Sequence, residues 1–519
     1  MTGPLRVVLV KPSKYGRDGF VERFRRGFMP NSTLPHLASM TPSALAGHPI
    51  ELHVIDEYIE TDLEYLRLLA ATRHERTLVA LVGVQSHQLH RALDLAAYAQ
   101  AHGAVAILGG PHPMTCDLSA MAGCGVSFAV AEAELVWRQI LGDAIAGELQ
   151  PVYGMDTRWQ ENLDPPPLVP PTERSLRRYA VQMLGVYPAR GCPYRCNFCS
   201  VIKIAGRRMR GQPVETTLAT LRAAKAAGIL LIMFTTDNFN KYADAPVLLQ
   251  AMIDERLDLP FFVQCDAQVV RQPEFVELLG RAGCYQMFVG VESFDRQTLL
   301  DAKKNQNHPE HYRELVRLCA AHGIGSHFSN IIGFPTDTLD SVLRQLRTLR
   351  DLRPDLASFY ILTPIPGTEQ YEEFSAAGLV TEGNLDRFDG SCAVWRHPHL
   401  RERDLIDLLF RCYRDFYAFS DAMTKSVWWL WHKRRSPNVL LKIATPAYSL
   451  LSRLAVAQGM HPMAGGMHRV QLDCVDAYID LRRRCYGFDL APLPRASQAS
   501  VADHSLRAAA ASSYAALPA

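Results

Sequence analysis

Three cysteines, Cys192, Cys196 and Cys199, crowd one short stretch, Ala189-Arg-Gly-Cys-Pro-Tyr-Arg-Cys-Asn-Phe-Cys199. Thiolates this close together suit a metal group. Zinc wants four tetrahedral ligands and no fourth stands nearby, whereas an iron–sulfur cluster accepts each thiolate on a separate iron. A structural zinc site and three unliganded thiols remain the alternatives. The other polar residues of interest follow short apolar runs. Gln85-Ser86-His87, Gly109-Gly110-Pro111-His112 and Ala131-Glu132-Ala133-Glu134 come before the cysteines, and Thr235-Thr-Asp-Asn-Phe239, Gly290-Val-Glu-Ser293 and Asn330-Ile-Ile-Gly-Phe-Pro335 come after them. A small polar residue and paired glycines let a large flat ligand approach the backbone closely.

The elements that must hold these residues can be read from hydrophobic period. Apolar runs at Arg6–Val10, Glu51–Ile55, Leu78–Val84, Val105–Leu108 and Val126–Val130 alternate with helix-like stretches such as Leu89–Ala101. That rhythm predicts a doubly wound parallel sheet of five strands, flavodoxin-like or Rossmann-like, with ligands at the carboxyl ends of its strands. Further runs at Leu184–Tyr187, Leu230–Thr235, Phe261–Cys265, Met287–Val291, His327–Ile332 and Phe359–Leu362 give six more strand–helix units, with Thr216–Ala227 as a helix stopped at Gly228. The proline-rich stretch Asp164–Pro171 reads as an extended linker between the two series. Cys265 and Cys284 sit in apolar surroundings and read as small buried hydrophobes.

The spacing Cys-x3-Cys-x2-Cys, with an aromatic before the last Cys, resembles the signature of the radical S-adenosylmethionine (SAM) superfamily. The strand-end residues before it resemble the cobalamin-binding unit that precedes many such enzymes. The resemblance, over roughly the first 390 residues, is to cobalamin-dependent radical C-methyltransferases, and it implies a partial (β/α)6 barrel over about Ser175 to Arg387. It also implies a 4Fe–4S cluster on Cys192, Cys196 and Cys199, SAM, and cobalamin. By that resemblance Phe198 packs near the adenine, and Asp237 with Asn238 meets the ammonium of SAM. Glu292 and Ser293 take the ribose or methionine, and Gly333 and Pro335 receive the adenine edge. Ser86, Gly109, Gly110, His112 and Glu132 line the cobalamin, although alanines replace the glycines usual around Glu132. A helix N-cap is the plainer role of Asp237, and a sheet that merely packs is the plainer reading of the first unit. No Asp-x-His-x-x-Gly pattern follows the first strand, so cobalt is expected without a histidine ligand below.

These readings divide the chain into a cobalamin unit at 1–150, a linker at 151–174, the barrel at 175–388, a helical region at 389–494 and a disordered tail at 495–519. With 55 basic and 53 acidic residues the formal charge is only +2, which gives no electrostatic case for nucleic acid. Scattered cysteines, no signal peptide and no apolar run of about 18 residues lead to the expectation of a cytoplasmic protein. One stretch is uneven: Trp428, Trp429 and Trp431 stand before Lys433, Arg434 and Arg435. Such a segment fits peripheral contact with anionic lipid at the inner face of a membrane, a helical cap over a greasy substrate, or a solvated basic face. The expected partners are a small hydrophobic substrate and an electron donor such as flavodoxin or ferredoxin. The expected reaction is methyl transfer to an unactivated carbon. A cobalamin-linked oxidative cyclase or ring-modifying enzyme shares these motifs, and a non-catalytic corrinoid module is the reading from another class.

Overall fold

The computed structural model describes residues 3–71, 76–118, 121, 124–418, 439–462 and 465–472. Strand β1 (Leu5–Lys11) is followed by β2 (Arg23–Gly27), β3 (Ala44–Leu45), β4 (His48–Asp56), β5 (Arg76–Leu81), β6 (Val105–Gly109), β7 (Ser127–Ala129) and β8 (Val152–Tyr153). All but β2 form one sheet in the order β3-β4-β1-β5-β6-β7-β8. Its five inner strands are mutually parallel, and β3 turns back on β4 as a short antiparallel edge.

The inner strands form because both faces find apolar cover, as parallel sheets require. Val8, Val10, Val79 and Leu81 point toward the helix Leu89–Ala101. Leu5, Val7, Leu9, Leu78 and Ala80 point the other way, toward Leu34 and Leu37 of the helix Thr33–Met40 and Trp137, Ile140 and Leu141 of the helix Ala133–Ala146.

The second sheet follows the same logic with a curve. Strands β9 (Met183–Val186), β12 (Leu231–Phe234), β13 (Phe261–Cys265), β14 (Cys284–Glu292), β15 (Gly325–Ile332) and β16 (Leu356–Ile361) lie in the order β16-β15-β14-β13-β12-β9, all parallel. Between β9 and β12 a small antiparallel pair, β10 (Ala189–Arg190) with β11 (Arg210–Gly211), pinches off the cysteine loop. Helices such as Val214–Ala226, Ala245–Asp254 and Leu339–Leu352 cover the outside of this half barrel. Cys265 and Cys284 are buried within its apolar core.

The fold is thus a doubly wound sheet, a six-stranded parallel half barrel, and a helical region after it. That last region includes the helices Glu402–Phe416 and Val439–Ala457. Tyr448 of the second helix lies edge-on to His327 of β15, 5.7 Å between ring centres. Strand β17 (Gly466–Val470) then returns to pair antiparallel with β2. The expected tail at 495–519 and the cationic tryptophan segment from Trp428 to Arg435 lie outside the described residues. No helix among the described residues is long and apolar enough to cross a membrane.

Candidate functional site between the two sheets

The carboxyl ends of the two sheets face one another across a cavity of about 500 Å³. Ser86, His87 and Pro111 line it from the first sheet; Phe198, Glu292, Ser329, Ile331, Tyr360 and Asp389 line it from the half barrel. A second, mostly apolar cavity of about 300 Å³ runs from Asp237 and Arg190 past Gly83, Gly109, Gly110, Ala129 and Ala131 toward Trp137. Pro111 and Ile204 line both cavities.

The cysteine loop leaves its pinched neck through Gly191, whose φ of +110° and closeness to the Arg208 carbonyl leave no room for a side chain; a Cβ there would lie 2.1 Å from that oxygen. Cys196 is buried, and Cys192 and Cys199 are half-buried. Amides are aimed at two of the sulfurs: Asn238 Nδ2 donates to Cys192 Sγ at 2.9 Å, and Gln306 Nε2 donates to Cys196 Sγ at 3.6 Å. Burial pushes the Cys192 thiol up to about 11 and the Cys199 thiol up to about 12. The Lys304 ammonium opposes that shift at both sulfurs. Among the described residues no three His, Cys, Asp or Glu side chains converge on a point where a single ion would sit. A multi-iron cluster takes its thiolates at separate corners, and hydrogen bonds to sulfur tune it, so this donor set fits a 4Fe–4S group.

Lys304 was not legible in the sequence, and it organises this side of the cavity. Its Nζ is 3.2 Å from Glu292 Oε1 and lies over the Phe198 ring, 5.8 Å from the centroid. Burial works against its charge, but Glu292 and the thiols outweigh that and hold its pKa above the usual lysine range. Glu292 owes its aim to an irregularity: the β14–β15 register shifts between Gly290 and Glu292, and Glu292 adopts a φ of +62°. Bulges at strand ends redirect side chains in this way, and a non-glycine residue in the left-handed region is strained. Ser329 Oγ completes the arrangement, donating to Glu292 Oε2 at 3.3 Å.

Asp237 stands apart from that network. It lines the smaller cavity beside Arg190, and burial raises its carboxyl to about 6, with Arg190 pulling the other way. Its neighbour Asn238 is committed to Cys192, as above.

Four expected contacts have other partners. Ser293 turns away from both cavities; its Oγ donates to Gln345 Oε1 at 2.9 Å and accepts from the Asp295 amide. The bulge that swings Glu292 inward sends the next side chain out. Gly333 donates its amide to Asp337 at 2.9 Å and lies against Leu405, and Pro335 lines a separate cavity of about 140 Å³ with Asn197 and Thr298. Phe334, between them, lies edge-on to Phe198 at 6.1 Å. Glu132, although on the wall of the smaller cavity, is spent: Arg210 grips both its oxygens at 2.7 Å, and the Gln160 amide donates to it at 2.7 Å. Glu132 is a strut between the sheets. Glu134 is another, taking two hydrogen bonds from Arg190 at 2.6 and 3.1 Å.

On the first sheet, Ser86 lines the large cavity and is hydrogen-bonded to His112 Nδ1 at 3.0 Å, which leaves His112 buried behind it. Gly109 and Gly110 line the smaller cavity. Gly110 has a φ of +132°, and a Cβ there would meet Val84 N at 2.2 Å, so the turn admits only glycine.

Residues 186–349 match the Radical SAM superfamily. The chain is 26% identical over 365 residues to bacteriochlorophyllide d C-12(1)-methyltransferase of Chlorobaculum tepidum, covering 67% of this chain and 77% of that protein. It is 23% identical over 455 residues to bacteriochlorophyllide d C-8(2)-methyltransferase of the same organism, covering 83% and 94%. Among solved structures it resembles the radical SAM methyltransferase TsrM from Kitasatospora setae, determined with cobalamin and a 4Fe–4S cluster bound. The TM-score is 0.56 at 18% identity, covering 73% of this chain and 79% of that one. The chain therefore shares the fold of a cobalamin-binding radical SAM protein.

Proposed function

We propose that the protein is a cobalamin-dependent radical SAM enzyme that transfers a methyl group to an unactivated carbon of a small hydrophobic substrate. One observation carries the reading: the cysteine loop and the glycine-lined strand ends open on adjoining cavities, so both cofactors would meet over one space. When bound, the cluster supplies the electron that cleaves SAM to a carbon radical, and cobalamin supplies the methyl group. The two relatives named as methyltransferases acting at carbon positions of bacteriochlorophyllide d support methyl transfer.

This chain's residues then do the holding. Cys192, Cys196 and Cys199 bind three irons, and Asn238 and Gln306 donate to the sulfurs. Lys304 neutralises Glu292, whose second oxygen takes the Ser329 proton, and the remaining lone pairs of that oxygen and of the Ser329 hydroxyl are acceptors toward a sugar or amino-acid group. Asp237, whose carboxylate has no hydrogen-bonding side chain beside it among the described residues, pairs an ammonium that reaches the junction of the cavities. Ile331, Ile361, Leu362 and Ile365 line the rest and keep water from the reacting carbon.

The test is anaerobic turnover of reconstituted full-length protein with SAM, a reductant and candidate apolar substrates. Methyl transfer gives S-adenosylhomocysteine, 5′-deoxyadenosine and a product heavier by one methylene. Deoxyadenosine with an unmethylated, oxidised product would replace this reading with the cyclase one.

A further inference from the structure

The turn after β5 carries the 3-10 segment Ser86–Gln88 and is clamped on both sides. Gln88 Oε1 accepts from Lys11 Nζ at 2.6 Å and from the Gln85 amide at 3.1 Å, while its Nε2 donates to the Pro12 carbonyl at 2.9 Å. Ser86 is held by His112, as described. Between these two anchored residues His87 projects into the wall of the large cavity and makes no hydrogen bond to any described residue. The contrast with its neighbours is informative. His112 is bonded to Ser86, His90 to Asp386 at 2.9 Å and His36 to Glu134 at 2.8 Å.

The cavity wall also carries Asp389, ion-paired with Lys14 and accepting from the Ser391 amide at 2.9 Å, and both charges act on the His87 ring. A histidine on a cavity wall whose ring nitrogens are taken by no described residue can offer one of them to a metal brought into that cavity.

We infer that His87 is the protein ligand to cobalt on the face of the corrin turned toward the first sheet. The inference rests on the cobalamin reading above and reverses the expectation of a cobalt centre without histidine. A ring nitrogen donates its lone pair to cobalt and displaces a water; no proton or electron changes hands. The apolar cavity beside Gly109 and Gly110 would take the nucleotide tail, leaving that face of cobalt to the protein.

Full-length protein loaded with hydroxocobalamin and reduced by one electron to the cobalt(II) state should show each cobalt line in its electron paramagnetic resonance spectrum split into a triplet by one nitrogen-14. Protein grown on nitrogen-15 and loaded with unlabelled cobalamin should show doublets, which separates a histidine from the cofactor's own base. His87→Ala and His87→Gln should retain cobalamin and lose the splitting. Bound cobalamin without nitrogen splitting, or a triplet that persists in labelled protein or in both variants, overturns the inference and leaves the cofactor reading standing. Failure of the parent to hold cobalamin at all overturns both.

Discussion

The two sets of strand ends make room for ligands by opposite means. On the first sheet the space is made by missing side chains: Gly109, Gly110, Ala129 and Ala131 leave a mostly apolar hollow, and the nearby charges, Glu132 and Glu134, are used up on Arg210 and Arg190. On the half barrel the space is walled by groups with capacity to spare, among them Asp237, Ser329 and the Glu292–Lys304 pair. The first surface is a mould and the second is a set of electrostatic contacts. A bulky flat ligand belongs against the former, and a small charged one against the latter.

The strongest way to break this contrast is to remove the metal-binding thiols. Replacing Cys192, Cys196 and Cys199 together by alanine should abolish iron binding, the absorbance near ~400 nm and SAM cleavage. Cobalamin binding should survive. Loss of both cofactors together would mean that the two surfaces are not independent.

Next in size is a strut. Arg210→Met removes one partner of a pair whose side chains are each 5% exposed, so unfolding free energy should fall by about 3–5 kcal/mol in a denaturant titration. A loss below about 1 kcal/mol would show that Glu132 is not committed as described and is available to a ligand.

The mould itself is tested at Ala129, where the space beyond Cβ is open, rather than at Gly110, where any side chain strikes Val84. Ala129→Phe should sharply reduce cobalamin retained after gel filtration while leaving iron content unchanged, at a stability cost of about 1–3 kcal/mol. Undiminished retention would show that the hollow is not where the cofactor's tail lies.

The smallest effect belongs to the other surface. Asp237→Asn should weaken SAM binding by about 1.5–3 kcal/mol in calorimetry, the range of a charge-assisted hydrogen bond. Because its carboxyl is raised to about 6, affinity in the parent should fall as pH drops through 6, where the acid takes up a proton, and the Asn variant should lose that dependence. For folding the sign is reversed. The raised pKa favours the folded state below the ordinary aspartate range, and that gain is lost as pH rises through 6. Equal affinity in both variants would return Asp237 to the role of a turn residue.

The sequence showed the five inner strands of the first sheet and the six of the second because parallel strands covered on two faces read as unbroken apolar runs; Val7-Val8-Leu9-Val10 is one, and the boundaries of Phe261–Cys265 agree with β13. It did not show β2, whose Arg23-Phe-Arg-Arg-Gly27 carries charge on an edge, or β8, only two residues long within a stretch read as linker. At the site, motif position pointed to Glu292, which stands on the wall of the large cavity, and to Asn238, which donates to Cys192. It did not show that Ser293 bonds Gln345, because a bulge changes which face a side chain points to, and that depends on the neighbouring strand. Lys304, Gln306 and Arg190 act through partners brought close only by folding, so no local pattern marks them. His87 stood in plain view, but its lack of a hydrogen-bonding partner among the described residues is a property of the packed cavity.

The ribbon of β2 and β17 has a consequence for the timing of synthesis. Arg23–Gly27 leaves the ribosome more than four hundred residues before its partner Gly466–Val470. At roughly 5–20 residues per second the early strand waits on the order of half a minute to a minute and a half with one edge open. The charges of the exposed Arg25 and Arg26 suit that interval, since a cationic edge resists pairing with a neighbouring nascent chain. Arrival of β17, with Arg469 reaching Asp18 at 2.6 Å, then acts as a latch that closes only after the strands of both sheets have emerged.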